Sequence, residues 1–441
     1  MEILQRLKKD AATRNKLLAT IGLMFILLIG YRIPLPGINA NYIQAVLDGL
    51  IGEGSGFLNA LTGGSFSQMS IFALSITPYI TASIVLQLLT LIVPPLEAMS
   101  KDGSVGKRKL EKVTFALGAF IAIIESLSLA IGLGSQGLFS SDAWYMVLYA
   151  TIVWTVGACF LIWISQTITN KLIGNGTSMI LMFNVLTTVP NDMFTIFKAL
   201  SNGAKLWMQI VVVLTMIIVG CLIFAYVVVL NNAEKRIRIT NSGKAGIRMA
   251  GAEDNVMPIK LSSGVMPIIF SSSIMSIPIL IARFVGVQSG SMLEKIVNCF
   301  NQNNWFNMNE PLYTLGVIAF IPLTFAFSYF YSKMSFNAND IADNLRKSGG
   351  VVNGIRPGQP TAEYLNTQAK SMLWLGTTML IVIALLPTAI SGFCGIDGLS
   401  FGGTTILIVV GVILEVKNTL TAQTASVTYK TLLKGNKRGR A

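Results

Sequence analysis

Long apolar runs separated by short polar ones extend over the whole 441-residue chain. A helix that crosses the hydrocarbon core of a bilayer needs about 20 mainly apolar residues. On that measure the pattern predicts ten spans, at 17–31, 71–93, 113–133, 144–164, 177–189, 206–230, 261–285, 312–331, 372–390 and 402–420. The first continues into RIPLPGI at 32–38 with no small-residue cleavage pattern, so it is read as a span rather than a signal peptide. The expected class is an all-α polytopic membrane protein. Composition agrees: apolar residues reach 53% and charged residues fall to 12%, about half the roughly 25% of soluble domains.

The polar interruptions carry the topology. Once ten spans are assumed, 28 of the 33 Lys and Arg fall in the tails and loops of one side, together with twelve acids. The other side holds five bases and seven acids, and Glu125 lies inside the third span. Lys and Arg accumulate on the cytosolic side of membrane proteins, so both termini are expected in the cytosol. The basic cluster Lys235, Arg236, Arg238, Lys244 and Arg248 on the loop 231–260 would also attract phosphate backbones or an acidic partner surface. The loop 333–370 contains FNANDIADNLRKSGGVVNGIRPGQPTAEYL at 336–365. Its length and polarity place it in water, and Pro357, Pro360 and the Gly349-Gly350 pair stop it from being a simple extension of the neighbouring helices.

Several chemistries are missing from the sequence. There is no histidine, and Gly103-Ser-Val-Gly106-Lys107 is too short to cradle a triphosphate. Neither a GxSxG elbow nor an HExxH pair occurs, so the chain is expected not to be an enzyme, and any work against resistance comes from a partner. Cys159, Cys221, Cys299 and Cys394 lack metal-ligand spacing; the last two fall on outer loops, where a pairing stays open. A lone intramembrane carboxylate, Glu125, leaves ion-coupled transport as a weak alternative.

Two spans are built alike. Ser75-Ile-Thr-Pro78 opens the second and Gly264-Val-Met-Pro267 the seventh, each followed by small polar residues, Thr81-Ala-Ser83 and Ser271-Ser-Ser273. Proline is expected to kink these helices, and the small residues let them pack closely and separate. A likeness five spans apart fits an inverted repeat. Ahead of the second span, 57–67 is too short to cross and is interrupted by Gly63-Gly64, which suits a re-entrant element entering a vestibule.

The GIRPG core at 354–358 with its TAEYL continuation resembles the SecY family of protein-translocation channels. So do RIPLPGI at 32–38, SIFALSITPYITASIVLQLLT at 70–90, IGNGTS at 173–178, MPIKLSSGVMPIIFSSSI at 257–274 and GGTTILIVVGV at 402–412, in order along the chain. The resemblance implies ten transmembrane helices in two inverted five-helix halves, 1–190 and 191–441, around an hourglass pore closed by a plug helix at about 55–68. It implies a pore ring of Ile76, Ile80, Thr177, Leu181, Ile269 and Ile408, in which Thr177 replaces a usual isoleucine. It assigns the plug to Leu58, Asn59, Leu61, Thr62, Gly63, Gly64, Ser65 and Phe66. It assigns the lateral gate to Thr81, Ser83, Gln87, Ser271, Ser272 and Ile277, with Thr81 and Ile277 facing each other. Arg356, Pro357 and Gly358 join the basic residues of the loop 231–260 as the contact for a motor or ribosome. The implied partners are SecE, SecG, SecA and the ribosome; the implied substrate is unfolded polypeptide bearing a signal sequence; the implied place is the bacterial cytoplasmic membrane. Neither cofactor nor metal is expected. An accessory paralogue serving a few dedicated clients is the nearer alternative, since Gln166 and Asn170 stand where the family often has acids.

Overall fold

The computed structural model describes residues 11–38, 61–134, 139, 144–201, 206–241, 255–261, 265–285, 292–306, 311–394 and 403–438. Helices occupy each of the ten apolar segments. They run in the order α1 (Ala11–Tyr31), α2 (Thr77–Ile92), α3 (Pro94–Lys101), α4 (Gly103–Gly134), α5 (Trp144–Lys171), α6 (Gly176–Ser201) and α7 (Leu206–Asn232). After strands β1 (Glu234–Asn241) and β2 (Asn255–Lys260) come α8 (Met266–Val285), α9 (Met292–Cys299), α10 (Leu315–Ser335), α11 (Ala338–Lys347), strand β3 (Gly350–Val352), α12 (Gln359–Cys394) and α13 (Gly403–Arg438). Among the described residues six helices, α1, α4, α5, α10, α12 and α13, contain stretches long and apolar enough to cross a bilayer. The number is seven if α2 and α3, bent by 105° at their junction, count as one broken span; α6, α7 and α8 carry shorter apolar stretches.

Proline sets these boundaries. Val93 is extended because the residue before a proline is kept out of the helical region, and Pro94-Pro95 then start α3 on a new axis. The prolines expected to kink the second and seventh spans do not do so. Pro78 and Pro267 both lie in the first turn of their helices, where no hydrogen bond is lost, and residues 71–76 ahead of α2 are turns rather than helix. Pro360 likewise sits in the first turn of α12, so residues 359–365 do extend that helix, contrary to the expectation for the polar loop.

α4 lies between α2 and α5, α8 packs on α10, and α13 contacts α6, α7 and α12. The apolar interior falls into one cluster around α4, α5 and residues 66–74, one among α7, α8, α10, α12 and α13, and a third between them that draws on α1, α2, α5, α6, α8, α10 and α13. A fourth lies in the polar loops, where β1 pairs with both β2 and β3, antiparallel, in the order β2-β1-β3. This sheet was not anticipated, since its strands are short and come from loops on either side of two spans.

The turn segment ahead of α2 is fixed from two sides. Leu35 N–H donates to the Met69 carbonyl and Ile71 N–H to the Ile33 carbonyl, both at 3.1 Å, so RIPLPGI pairs with this segment like a strand. From α5 the fully buried Trp154 donates its indole Nε1–H to the Ser70 carbonyl at 3.1 Å. One turn further, Gly157 lets α5 approach the same backbone: a Cβ there would overlap the Ile71 carbonyl. Gly157→Val is therefore expected to destabilise the protein by about 1–3 kcal/mol through overpacking, read as a lower midpoint of thermal unfolding in detergent.

Candidate functional site

Five of the six residues assigned to the pore ring come together. Ile76 and Ile80 of the α2 entrance, Leu181 of α6, Ile269 of α8 and Ile408 of α13 are buried in one aliphatic cluster. Thr177 stands one turn before Leu181 on α6. Its hydroxyl lies 3.0 Å from the Ser165 hydroxyl of α5, and its N–H donates to Asn175 Oδ1 at 3.1 Å, so the polar replacement is satisfied locally. Next to the cluster is a cavity of about 590 Å³ whose wall includes Ile269 and Ile408 along with Asn175, Lys260, Glu415 and Asn418. The cavity also touches Pro258 and Ile259 of β2 and Phe336 beside α11, so it opens between the aliphatic cluster and the sheet.

Of the residues assigned to the plug, Leu58 and Asn59 lie outside the described residues. Leu61 and Thr62 end a helix, while Gly63, Gly64, Ser65 and Phe66 form turns. The segment is enclosed: Leu61, Thr62, Ser65 and Phe66 are buried. The Ser65 hydroxyl donates to the carbonyls of Thr62 at 2.7 Å and Phe72 at 2.9 Å, closing the turn on itself.

The residues assigned to the lateral gate lie on two helices, Thr81, Ser83 and Gln87 on α2 and Ser271, Ser272 and Ile277 on α8. α8 leans on α10 and α4 more than on α2. The Thr81 hydroxyl bonds back to the Thr77 carbonyl at 3.2 Å, and Gln87 Nε2–H donates to Ser83 Oγ at 2.9 Å, so these side chains are engaged within α2. Ser271 and Ser272 are buried in α8, whereas Ile277 is 39% exposed on its surface. The two helices meet at their first turns, where Ile269 joins Ile76 and Ile80.

The two polar loops form one platform. Ile237 of β1, Ile259 of β2, Val352 of β3, Ala338 of α11 and Leu365 of α12 make its small core. Strand alternation sorts the basic residues of β1. Arg236 and Arg238 are on the exposed face; Lys235 turns inward and donates to Gln368 Oε1 of α12 at 2.5 Å. Arg236 pairs with Glu234 at 3.0 Å in an exposed salt bridge of the kind that contributes little stability. Lys244 and Arg248 lie outside the described residues. α11 is capped by Asn337, whose side chain accepts from Asn339 N–H, and Arg346 and Lys347 in its last turn complement the helix dipole.

Beyond β3 the GIRPG motif forms an exposed tip. Gly354 and Gly358 have φ of +80° and +99°, a conformation other residues rarely adopt, and the space beside both is open. The Thr361 hydroxyl donates to the Arg356 carbonyl at 2.8 Å, which fixes the backbone and leaves the Arg356 side chain exposed along with Pro357. Glu125 is half-buried on α4. Cys299 is a free thiol, its Sγ 3.2 Å from the Lys295 carbonyl, so the pairing left open with Cys394 is not formed. No group of His, Cys, Asp or Glu suited to a metal occurs among the described residues.

Sequence reasoning missed Asn184. It is fully buried in α6 and bonds to the turn segment, and its signal was a single amide in the apolar run LMFNVL.

Together these features define a polytopic helical membrane protein, with a buried segment of turns beside an aliphatic cluster and a polar platform across a cavity. The family profile described as SecY matches residues 70–417. The protein translocase subunit SecY of Streptomyces coelicolor is 34% identical over 97% of this chain and 98% of its own length. That of Staphylococcus aureus (strain NCTC 8325 / PS 47) is 33% identical over 95% and 96%. The chain belongs to the SecY family. Among solved structures, one described as "The structure of a protein conducting channel" matches with a TM-score of 0.65 and 19% identity, covering 95% of this chain and 94% of the other. Sec61 in the canine ribosome-channel complex from the endoplasmic reticulum matches with a TM-score of 0.61 and 18% identity, covering 95% and 94%.

The platform core tests the idea that the two loops form one body. Leu365 is fully buried at its centre. Leu365→Asp places an unpaired charge there, at a cost of about 3 kcal/mol or more. Limited trypsin digestion should then cut 231–260 and 333–370 rapidly while the apolar helices remain protected.

Proposed function

We propose that this protein passes unfolded secretory polypeptides across the bacterial cytoplasmic membrane and releases apolar segments sideways into lipid. The observation that carries the reading is the aliphatic cluster of Ile76, Ile80, Leu181, Ile269 and Ile408, which forms part of the wall of the cavity beneath the platform. Branched apolar side chains make no sequence-dependent hydrogen bonds, exclude water when closed and deform around any passing chain. In this reading the ten helices form two inverted five-helix halves, 1–190 and 191–441, around an hourglass pore. The shared construction of α2 and α8, each opened by a proline in its first turn, supports that correspondence.

The segment at about 55–68, of which Leu61, Thr62, Ser65 and Phe66 are buried, acts as the plug, and the seam between α2 and α8, with α4 and α10 beside it, acts as the lateral gate. The platform faces the cytosol with both termini, as the concentration of Lys and Arg on that side suggests. It receives the motor SecA or the ribosome, and SecE and SecG complete the complex. The Arg356 side chain, presented on a tip of restricted backbone, suits a fork held out to a carboxylate or phosphate of the partner.

Reconstitution with SecE and SecA into vesicles tests the reading: ATP should drive a signal-bearing precursor to a protease-protected lumen, and failure of a folded complex to do so rejects it. In the same assay Arg356→Glu should abolish ATP-driven transport with membrane insertion intact. Replacing both Ile269 and Ile408 with serine should raise the resting ion conductance in planar bilayers, because hydroxyls let water bridge a closed apolar constriction.

A further inference from the structure

We propose that a buried amide-hydroxyl latch centred on Asn184 holds the plug closed against the turns that lead into α2, and that the strength of this latch sets how readily the channel opens. The inference rests on the reading of residues at about 55–68 as the plug. Asn184 has no exposed surface, and its Nδ2–H₂ donates to the Leu61 carbonyl at 2.6 Å and to Ser75 Oγ at 2.9 Å. Leu61 belongs to the plug and Ser75 to the turns that lead into α2, so the two bonds tie one to the other. Ser75 closes the triangle, its hydroxyl 3.4 Å from the same Leu61 carbonyl. One turn along α6, the Thr187 hydroxyl is shared between the Asn184 carbonyl of its own helix at 2.6 Å and the Gly63 carbonyl at 3.2 Å. α6 thus grips the plug at Leu61 and Gly63, and the turns at Ser75, by polar contacts set within apolar surroundings, where a hydrogen bond is strong and an unmet one is costly.

Backbone strain makes the grip releasable. Ser75 has φ of +51°, a left-handed conformation that a residue with a Cβ rarely adopts. The bond from Asn184 is one of the contacts that keep it there. The buried Tyr31 hydroxyl of α1 lies beside Ser75 and Asn184 and joins the same polar cluster. The closed state therefore combines short bonds with backbone strain. Once the plug leaves, water can satisfy all of these polar groups, so removing the latch weakens the closed state more than the open one.

Asn184→Ala removes the donor to both Leu61 and Ser75, whereas Thr187→Val, nearly isosteric, keeps those two bonds and removes the contact to Gly63 together with the bond to the Asn184 carbonyl of its own helix. In the SecE-containing complex in planar bilayers, Asn184→Ala should raise the resting open probability about tenfold, as expected when one buried donor biases a two-state equilibrium. Thr187→Val should shift it less, in the same direction. With SecA and ATP, both variants should also transport a precursor whose signal sequence is defective, which the unaltered protein rejects. A folded Asn184→Ala complex with unchanged resting conductance overturns the latch. Should that variant fail to fold, unchanged conductance in Thr187→Val overturns it instead. Failure of the unaltered complex to transport any precursor rejects the channel reading on which the latch depends, a result distinct from either of these.

Discussion

Buried backbone that forms neither helix nor strand must find its hydrogen-bond partners in the protein around it. The 61–76 segment imposes that demand, and much of the surrounding structure answers it. Trp154 and Gly157 commit α5 to its backbone, RIPLPGI commits the chain after α1, and Asn184 with Thr187 commits α6. Three helices that share little sequence contact are thereby fixed around one short stretch of turns. The aliphatic cluster beside it follows, because Ile76 and Ile80 inherit their positions from the end of that stretch.

The platform meets a different constraint. Chain segments between spans face water and have no bilayer to order them, so they need a core of their own. Pairing β1 with both β2 and β3 gives these loops a shared sheet, and five buried side chains from three strands and two helices fill its inner side. Lys235, which composition alone groups with the exposed bases, serves instead to join β1 to α12. Arg236, Arg238 and Arg356 remain on the outside of this body.

Much of the helical architecture was legible because apolar length is a direct response to bilayer thickness, and all ten segments contain helix. The prolines were read with the wrong consequence. Pro78 and Pro267 were taken to kink helices, yet each stands where a missing N–H is harmless, and what precedes α2 is turn. The sheet was illegible for a physical reason: EKRIRITN alternates over only two apolar positions, Ile237 and Ile239, and its partners lie across a loop and beyond two spans. Ile76, Ile80, Leu181, Ile269 and Ile408 share one aliphatic cluster although they come from four separate helical segments, a convergence that apolar periodicity alone does not give. Asn184 was visible as an amide in an apolar run, but its meaning required the position of Leu61 and Ser75.

α12 is a single helix of 36 residues, a rod of about 54 Å at 1.5 Å per residue. The hydrocarbon core is about 30 Å thick, so on the order of 24 Å of the rod stands clear of it. Its first turn begins immediately after the GIRPG tip, and its outlying part is bonded to β1 through Gln368 and Lys235. Any body that pushes on Arg356 therefore works on a lever with a handle nearly as long as the part it turns. Tilting that rod by a few degrees about the bilayer surface would displace its far end by ångströms, the scale on which side chains in a closed aliphatic cluster lose contact.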